Sequence, residues 1–464
     1  MRRSRWQGTL LSLSCALCAA ACGNDDDGSA ADTTGANGGT SGGAGGSAGS
    51  GTGGSGIGGS SATGDAGSGG NAGNAGTTSS GGAGGSGGDG GAGGSFAAGG
   101  TAGAAGAGAH PPEFTDGQDI FRYDTFGDEQ VWTDVLRMHE VISEAVSPST
   151  ALSVGLKVDA EALPEGILEE VDLDDPATTV ALLGLDAVVG LRARVEDGVL
   201  VSVGITCALC HSNVDDSVMD GIGKRLDGFA NRDLNPGAIL ALSPFYADEE
   251  AQEVLTSWGP GFFDPRFNQD GINHPVLIPS IFGLADVPLE TYTGDGPISY
   301  WNSYVAVTQM GGQGQFFDPR IGVEVFQSPD RVTPQLPALY DYQVSLETPA
   351  PPAGSFDPDA AARGQALFEG EAGCSDCHRG TALTDAGMRL HAPEEVGAEP
   401  LTAERSATGL YRTTPLRALW QHPPYFHDGS AATLEAVVEH YDTHLSLGLE
   451  AEQKTDIVEY LKSF

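Results

Sequence analysis

Apolar and polar positions follow one another with periods that predict specific elements in the N-terminal half of the chain. Residues 112–150 carry apolar side chains at helical spacing, which predicts one helix there. Residues 178–205 start with a helical pattern and continue as alternating apolar and polar positions around Glu196, Asp197 and Gly198. That alternation is typical of a β-hairpin, so we expect a helix followed by two paired strands.

The same periodicity predicts three helices near the C-terminus. The first is capped near Asp359 and carries Gly364, the second is capped by Thr433, and the last has an apolar stripe that is able to cross the first. This stripe consists of Ile457, Tyr460, Leu461 and Phe464. We therefore expect a compact helical domain at this end of the chain.

Composition sets apart the N-terminal quarter of the chain. Residues 1–22 have an arginine-rich start, an apolar stretch of small residues and a final cysteine, which predicts a signal peptide of the lipoprotein type with lipid on Cys22. Ordinary signal cleavage without a role for Cys22 is the alternative. Residues 23–111 are rich in Gly, Ala and Ser, and 37 of the 70 glycines fall between positions 23 and 110. Such a segment cannot bury a core, so it predicts a disordered tether.

The remaining residues divide at a proline-rich segment, 349–352. Because clustered prolines mark linkers, we expect one domain at 112–355 and a second at 356–464. Neither range contains an apolar run long enough to span a bilayer. We therefore expect contact with a membrane through the lipid anchor only.

Cysteine usage gives the strongest chemical signal. Of seven cysteines, two leave with the signal peptide and Cys22 takes the lipid, so four remain, in two CysXxxXxxCysHis motifs. In c-type haem attachment, two thiols three positions apart form thioethers to one porphyrin, and the histidine that follows ligates the iron. We therefore expect two covalently attached haem c groups. The motifs are Cys207, Cys210 and His211, and Cys374, Cys377 and His378.

Other uses of these cysteines fit less well. A four-cysteine zinc site would have to join pairs far apart in the sequence and would leave both histidines unexplained. A thioredoxin-type dithiol needs a strand-to-helix start in an α/β fold, and disulfides that close such short loops constrain almost nothing. Calcium has no support, because Arg266 stands where an EF-hand loop should begin.

The chain is strongly acidic, with 22 Lys and Arg residues against 63 Asp and Glu residues and a formal net charge of −41. A surface of this sign repels phosphate backbones, which excludes nucleic acid as a partner. It favours a basic redox protein instead, such as a small cytochrome or a copper protein. Because a signal peptide and covalent haem both belong to exported proteins, we expect a periplasmic or cell-surface location at the outer membrane.

Residues 413–441, TTPLRALWQHPPYFHDGSAATLEAVVEHY, resemble the C-terminal haem domain of the bacterial di-haem cytochrome c peroxidases and of the related methylamine-utilisation enzyme that matures a tryptophan-derived quinone. RGQALF before CSDCH and LTDAG after it are similar too. The resemblance is specific over 359–464 and thin over 112–355. It implies a mainly α fold with two cytochrome c-like haem domains behind the disordered tether, the first with long loops and a small β-hairpin.

The resemblance also bears on the sixth ligand of the C-terminal haem iron. In the peroxidases a methionine on the helix after the YFHDG loop fills this position, and the methylamine-utilisation enzyme uses a tyrosine there. The matching residue of this chain is Tyr441. His440 is a rival ligand, His391 and Met388 are lesser ones, and plain core packing is an equal alternative for Tyr441.

At the first haem the sixth ligand is Met219 or His274, or the position is open and admits peroxide. Trp301 and Trp420 are candidate electron relays between the haems, with ordinary packing as the alternative. The leading functional hypothesis is a secreted, membrane-tethered di-haem cytochrome c that transfers electrons. The second is an oxidoreductase of the di-haem cytochrome c peroxidase type, with one five-coordinate haem, and the third is a non-redox scaffold or sensor.

Overall fold

The computed structural model describes residues 114–167, 171–421 and 423–464. The predicted signal peptide, Cys22 and the predicted tether lie outside the described residues. All described residues belong to one compact unit. None of the helices in these ranges is long and apolar enough to cross a membrane.

α-Helices are the main regular structure of the described residues, as expected. Most are short, and the three longest of them, with 12 residues each, all lie in the C-terminal part. The α-helices are Gly117–Tyr123, Glu129–Trp132, Met138–Ala145, Pro148–Ser153, Pro176–Gly184, Ala208–His211, Pro236–Ala241, Glu249–Thr256, Phe267–Asp270, Ile298–Val305, Leu336–Ser345, Pro358–Glu369, Pro393–Val396, Leu401–Glu404, Leu434–Leu445 and Ala451–Lys462.

The strands of the described residues form only two-stranded sheets. One pair, Val158–Asp159 with Ile222–Gly223, is parallel. The antiparallel pairs are Leu191–Glu196 with Val199–Ile205, Ser212–Val214 with Arg225–Asp227, Phe262–Phe263 with Val276–Leu277, and Gln315–Asp318 with Val323–Phe326. These small sheets brace the loops between helices and do not form a continuous layer.

The prediction of one helix within 112–150 was wrong, because the structure has separate helices there. Glu129–Trp132 and Met138–Ala145 are separated by a turn that ends at Arg137, whose φ is +55°. A left-handed residue cannot continue an α-helix. Apolar side chains are nevertheless buried on both sides of the break, at Trp132, Leu136, Met138 and Ile142. The apolar spacing is therefore real, but it did not reveal the change in backbone direction.

The predicted helix and hairpin before the first motif are confirmed. Helix Pro176–Gly184 is followed by strands Leu191–Glu196 and Val199–Ile205. Asp197 and Gly198 join the strands with φ values of 51° and 79°, which are the left-handed angles that a tight two-residue hairpin turn needs. The second strand ends two residues before Cys207, so the hairpin leads directly into the motif.

The predicted crossing of the first and last C-terminal helices is also confirmed. Helix Pro358–Glu369 is capped by Asp357, two residues earlier than the expected Asp359. It packs against helix Ala451–Lys462 so closely that a Cβ atom at Gly364 would overlap the carbonyl group of Asp456. Only glycine allows two helix backbones to approach in this way.

Buried apolar side chains form separate clusters on either side of the proline-rich segment. One cluster contains residues between Ile120 and Leu339, and another contains residues between Phe368 and Leu461. Each cluster lies beside one of the CysXxxXxxCysHis motifs, since Cys207 and Cys210 pack on the first and Cys374 on the second. The domain boundary at 355 and 356 itself stays a prediction.

Candidate functional site

Both CysXxxXxxCysHis motifs fold into the same kind of turn. The amide of His211 donates a hydrogen bond to the carbonyl oxygen of Cys207 at 3.2 Å, and the amide of His378 donates to that of Cys374 at 3.0 Å. One helical turn brings the first cysteine and the histidine to the same side of the backbone. Each motif therefore presents its thiols and its imidazole together.

The first motif is positioned by a close backbone contact. Gly190, just before the hairpin, has a φ of +81°, and a Cβ there would overlap the Cα atom of Leu209 inside the motif. Thr206 adds a hydrogen bond from its amide to the carbonyl oxygen of Gly190 at 2.9 Å. Glycine is required here both for the left-handed angle and for the approach, so the hairpin holds the motif rigidly.

The two histidines share an orientation that suits iron ligation. His211 Nδ1 lies 3.0 Å from the carbonyl oxygen of Pro279, and His378 Nδ1 lies 3.1 Å from that of Leu383. Because a carbonyl oxygen only accepts, each Nδ1 carries the proton and each Nε2 keeps its lone pair. Burial lowers the pKa of both imidazoles, that of His211 to about 4. Both rings are therefore neutral, as a metal ligand must be.

The four cysteines of the described residues are free thiols. Burial raises the pKa of Cys207 and of Cys210 to about 12, raises that of Cys374 to about 11 and raises that of Cys377 as well. Reactive dithiols have lowered thiol pKa values, so these pairs do not suit thiol–disulfide exchange. No potential metal-binding group of the described residues joins the two pairs, which argues against a four-cysteine zinc site.

Several buried N–H groups of the described residues have no hydrogen-bond partner. Within the described residues, Arg232 Nε and Nη1 are buried without a hydrogen-bond partner, and so are the indole N–H groups of Trp301 and Trp420. Burial lowers the pKa of Arg232. Unpaired donors of this kind are costly and indicate a missing acceptor. Haem propionates are acceptors of the right charge for such donors. The residues that fit the group itself are those of the motifs, which combine free thiols with an imidazole whose Nδ1 faces a carbonyl oxygen.

Tyr441 lies near the thiols of the C-terminal motif. It is carried by helix Leu434–Leu445, whose N-terminus is capped by Thr433 as expected. Burial, with smaller contributions from Cys377 and Cys374, raises the pKa of Tyr441 to about 12. The two thiols are therefore close enough to the phenol to affect its ionisation, and the identity of the sixth ligand stays a prediction.

The rival ligands have other partners. His440 Nε2 lies 3.0 Å from the carbonyl oxygen of Val396, on a different side of the helix from Tyr441. His391 is held between Asp385 at 3.1 Å and Glu395 at 3.2 Å. Met388 is 73% exposed and Met219 is 43% exposed. His391 and Asp385 nevertheless lie within 4.8 Å of the thiol of Cys377, so the choice between Tyr441 and His391 at the second motif stays a prediction.

The candidate relays sit in different surroundings. The ring of Trp301 packs edge-on against Tyr300 and Tyr304, at centroid distances of 5.9 and 5.2 Å. Trp420 lies in the short helical turn Leu419–Gln421. In the described residues, no continuous chain of aromatic rings connects Trp301 with Trp420. Their role as electron relays therefore stays a prediction.

A cluster around Glu399 was not anticipated from the sequence. Glu399 Oε1 lies 3.0 Å from His274 Nε2, 2.8 Å from His427 Nε2 and 3.0 Å from the hydroxyl group of Tyr411. Burial alone would raise the pKa of Glu399, but hydrogen bonds from Thr402, His427 and His274 outweigh it and hold the pKa well below its usual range. His274, a candidate ligand of the first haem, is therefore part of this cluster. His427 belongs to the YFHDG segment, and this segment was the only feature of the sequence that pointed to the cluster.

Curated proteins of the di-haem peroxidase type match this chain over about a fifth of its length. No family model matches. The methylamine utilization protein MauG of Methylorubrum extorquens is 43% identical over 89 residues, which is 18% of this chain and 24% of the relative. Cytochrome c551 peroxidase of Nitrosomonas europaea is 32% identical over 109 residues, or 22% and 32% of the two chains. Cytochrome-c peroxidase IdrP2 of a Pseudomonas species is 28% identical over 144 residues, or 23% and 39%.

The chain spans between 24% and 39% of the length of these relatives. Among solved structures, hydrazine synthase of Kuenenia stuttgartiensis has a TM-score of 0.30 at 21% identity, over 42% of this chain and 74% of the other. A MauG-like protein associated with microbial copper homeostasis has a TM-score of 0.31 at 18% identity, over 42% and 77%. TM-scores at this level carry no inference about the fold. By its sequence matches, the chain is related to the superfamily of di-haem cytochrome c peroxidases and MauG proteins, over part of its length.

Proposed function

We propose that this protein is an exported, lipid-tethered di-haem cytochrome c that transfers electrons. The observation that carries the proposal is the repeated arrangement of the two motifs. Each has two free thiols and a neutral histidine whose Nδ1 donates to a backbone carbonyl group, at 3.0 Å in one and 3.1 Å in the other. This leaves two Nε2 atoms prepared for iron, each beside the thiols that would anchor a porphyrin.

The chain offers a defined set of residues for each haem. When bound, haem supplies an iron that changes between the ferric and ferrous states. The carbonyl groups of Pro279 and Leu383 hold the imidazoles in one orientation and increase their basicity. Arg232 offers buried donors to a propionate, and Trp420 offers its indole N–H. The haem ligands would be Cys207, Cys210 and His211 for the first, and Cys374, Cys377 and His378 for the second.

The proposed location and partner are supported by the sequence alone. Lipid on Cys22 would anchor the protein, by preference to the outer membrane, and residues 23–111 would let the folded part reach partners away from the bilayer. The net charge of −41 supports a basic redox partner, such as a small cytochrome or a copper protein. Export itself would supply the compartment in which covalent haem is attached.

The haem content of the exported protein tests this proposal. Pyridine haemochrome spectra, set against protein mass, should give about two covalent haems per chain. Extraction with acidified acetone should not remove the colour, since thioether bonds resist it. A colourless protein, or one that releases all of its pigment to the solvent, would overturn the proposal.

A second candidate function is peroxide-driven oxidation, and Tyr441 is the observation that favours it. The relatives include proteins named cytochrome c peroxidase and MauG. A phenol beside the C-terminal motif would suit a haem that is held in its oxidised form, because a hard phenolate favours ferric iron. Peroxide would take two electrons and two protons to give water, and the electrons would come from the haems and then from the basic partner.

Mixing the ferric or half-reduced protein with hydrogen peroxide separates the two candidates. Peroxidase function predicts a rapid change in the haem absorption bands and in the electron paramagnetic resonance spectrum. Two six-coordinate, low-spin haems that do not respond to peroxide would leave electron transfer as the function.

A further inference from the structure

Two imidazoles and a carboxylate converge at a point that neither haem motif uses. We propose that His274, Glu399 and His427 form a binding site for a divalent transition-metal ion of the zinc type. Histidine nitrogen and carboxylate oxygen are ligands that zinc prefers in proteins. Glu399 and His427 were not predicted as haem ligands. His274 was one of the alternatives for the sixth ligand of the first haem. The inference does not depend on haem being present.

The geometry of the three donor atoms is close to that of a metal site. Glu399 Oε1 lies 3.0 Å from His274 Nε2 and 2.8 Å from His427 Nε2. All three donor atoms lie within 4.8 Å of one another. Ligand atoms that share one zinc ion at about 2.0–2.2 Å stand about 3.0–3.5 Å apart. The two distances from Glu399 Oε1 to the imidazoles are therefore already near this range, and the two imidazole nitrogens are no more than 4.8 Å apart.

The carboxylate oxygen lies at the centre of a polar cluster. Besides the two imidazoles, Glu399 Oε1 has the hydroxyl group of Tyr411 at 3.0 Å and the amide of Thr402 at 3.0 Å. Two of these neighbours also have another partner, since the hydroxyl group of Tyr411 lies 2.7 Å from the carbonyl oxygen of Glu399 and His274 Nε2 lies 3.0 Å from Thr402 Oγ1. A metal ion accepts lone pairs from the oxygen and from both nitrogens at once. Tyr411, whose hydroxyl group also lies 3.1 Å from His427 Nε2, would then support the site from outside.

Backbone and side-chain contacts fix the three ligands in place. The amide of His274 donates to Asp264 at 2.7 Å, and the carbonyl oxygen of His427 accepts from Leu277 at 2.8 Å. The other carboxylate oxygen of Glu399 accepts from the amide of Leu401 at 2.6 Å. These contacts prepare the site before an ion binds, which is the usual requirement for tight binding.

An ion has a route into the site. The side chains of His274 and Glu399 are 23% and 26% exposed, whereas that of His427 is 6% exposed. The site is therefore open on one side and closed on the other. A water molecule could fill the remaining coordination position on the open side.

The site would join two parts of the fold. His274 lies in the range 112–355, and Glu399 and His427 lie in the range 356–464. An ion bound by all three would connect these ranges beside the existing ion pair between Arg405 and Asp264, whose atoms are 3.0 Å apart. Because a ligand that binds only the folded state stabilises it, metal binding should raise the unfolding temperature.

Zinc uptake by the full-length holoprotein tests the proposal. The protein would be stripped with a chelator, equilibrated with zinc chloride and analysed for zinc and iron by elemental mass spectrometry. We expect about one zinc ion per chain. His427→Ala and Glu399→Gln should each weaken zinc binding at least about tenfold. His444→Ala, which removes an exposed histidine outside the cluster, is the matched control and should bind zinc as the unchanged protein does.

A second variant and a second measurement guard against a folding defect. His274 is partly exposed, so His274→Ala should keep the haem iron content and the circular dichroism of the unchanged protein and still lose zinc. The zinc absorption edge should report two imidazole nitrogens at about 2.0–2.1 Å. If the unchanged protein takes up no zinc, or if all three variants bind it as tightly as His444→Ala does, the cluster is only a hydrogen-bond network and the proposal is wrong. Haem content is measured in the same samples, so a failure here is distinct from a failure of the electron-transfer proposal.

Discussion

His211 Nδ1 lies 3.0 Å from the carbonyl oxygen of Pro279, a residue 68 positions further along the chain. This hydrogen bond decides which imidazole nitrogen is free, and it ties the first motif to the loop that precedes helix Ile298–Val305. At the second motif the partner of Nδ1 is local, because Leu383 lies only five positions from His378. The backbone of Thr414, which is distant in sequence, also interacts with His378.

Removing one cysteine pair should remove one haem. The double variants Cys207→Ala with Cys210→Ala, and Cys374→Ala with Cys377→Ala, should each lower the covalent haem per chain by about half, because each pair forms both thioethers of one porphyrin. Pyridine haemochrome spectra measure this directly. Cys22→Ser is the control, and it should keep the haem content while releasing the protein from membranes. Loss of both haems from either double variant would show that the sites are not independent.

Changing Tyr441 should alter the electronic state of one haem. Tyr441→Phe removes only the hydroxyl group, so a haem that depends on it should change from low spin to high spin, or lose its phenolate absorption. Electron paramagnetic resonance of the ferric protein is the measurement. Tyr460→Phe is matched to it, because Tyr460 lies in the same part of the fold with its ring 5.3 Å from that of Phe368. Identical spectra for Tyr441→Phe and Tyr460→Phe would show that Tyr441 is ordinary packing.

Gly364 should tolerate no side chain. A Cβ atom there overlaps the carbonyl group of Asp456, so Gly364→Ala should lower the free energy of unfolding by about 2–3 kcal/mol as the crossing helices separate. Denaturant unfolding followed by circular dichroism gives this value. At Gly184 a Cβ atom would meet Val195 at an ordinary 3.7 Å. Gly184→Ala should therefore change stability by less than about 0.5 kcal/mol, and equal effects at both positions would contradict the crossing.

Asp318 should contribute to stability in mild acid. Burial alone would raise its pKa, but hydrogen bonds from Arg320 and Tyr300 outweigh it and lower the pKa to about 2. Because this is below the ordinary value of 3.8, the contribution is complete above about pH 4 and is lost as the pH falls toward 2. Asp318→Asn should remove about 1 kcal/mol at pH 6, allowing for solvent around the half-exposed Arg320.

Unfolding curves at several pH values check the role of Asp318. The difference between the unchanged protein and Asp318→Asn should shrink steadily from pH 4 downward and vanish near pH 2. A difference that stays constant over this range would mean that the substitution acts through packing and not through ionisation.

Electron exchange with a basic partner should depend on salt. The net charge of −41 attracts a basic small cytochrome over long distances at low ionic strength, and screening shortens to about 8 Å at physiological ionic strength. The bimolecular rate, followed by stopped-flow absorbance, should therefore fall as salt is added. An uncharged chemical reductant serves as the control, since its rate should not change. A salt-independent rate with the basic cytochrome would contradict electrostatic steering.

Local signals in the sequence predicted several elements correctly. The hairpin turn at Asp197 and Gly198, the cap at Thr433 and the crossing at Gly364 all depend on residues that lie within a few positions of one another or on an apolar stripe. The break at Arg137 was missed because buried apolar residues continue on both sides of it. Periodicity records which side chains face the core, and it does not record a turn that preserves that pattern.

By itself, the sequence determined the chemistry of the two CysXxxXxxCysHis motifs, because thiols and imidazole must be adjacent in the chain to share one porphyrin. It also determined the acidic surface and the composition of residues 23–111. Only the tertiary structure decided that His211 faces Pro279 and that His274, Glu399 and His427 meet. The donors in these arrangements come from segments far apart in the chain, and only the packing of those segments brings them within a few ångströms of one another.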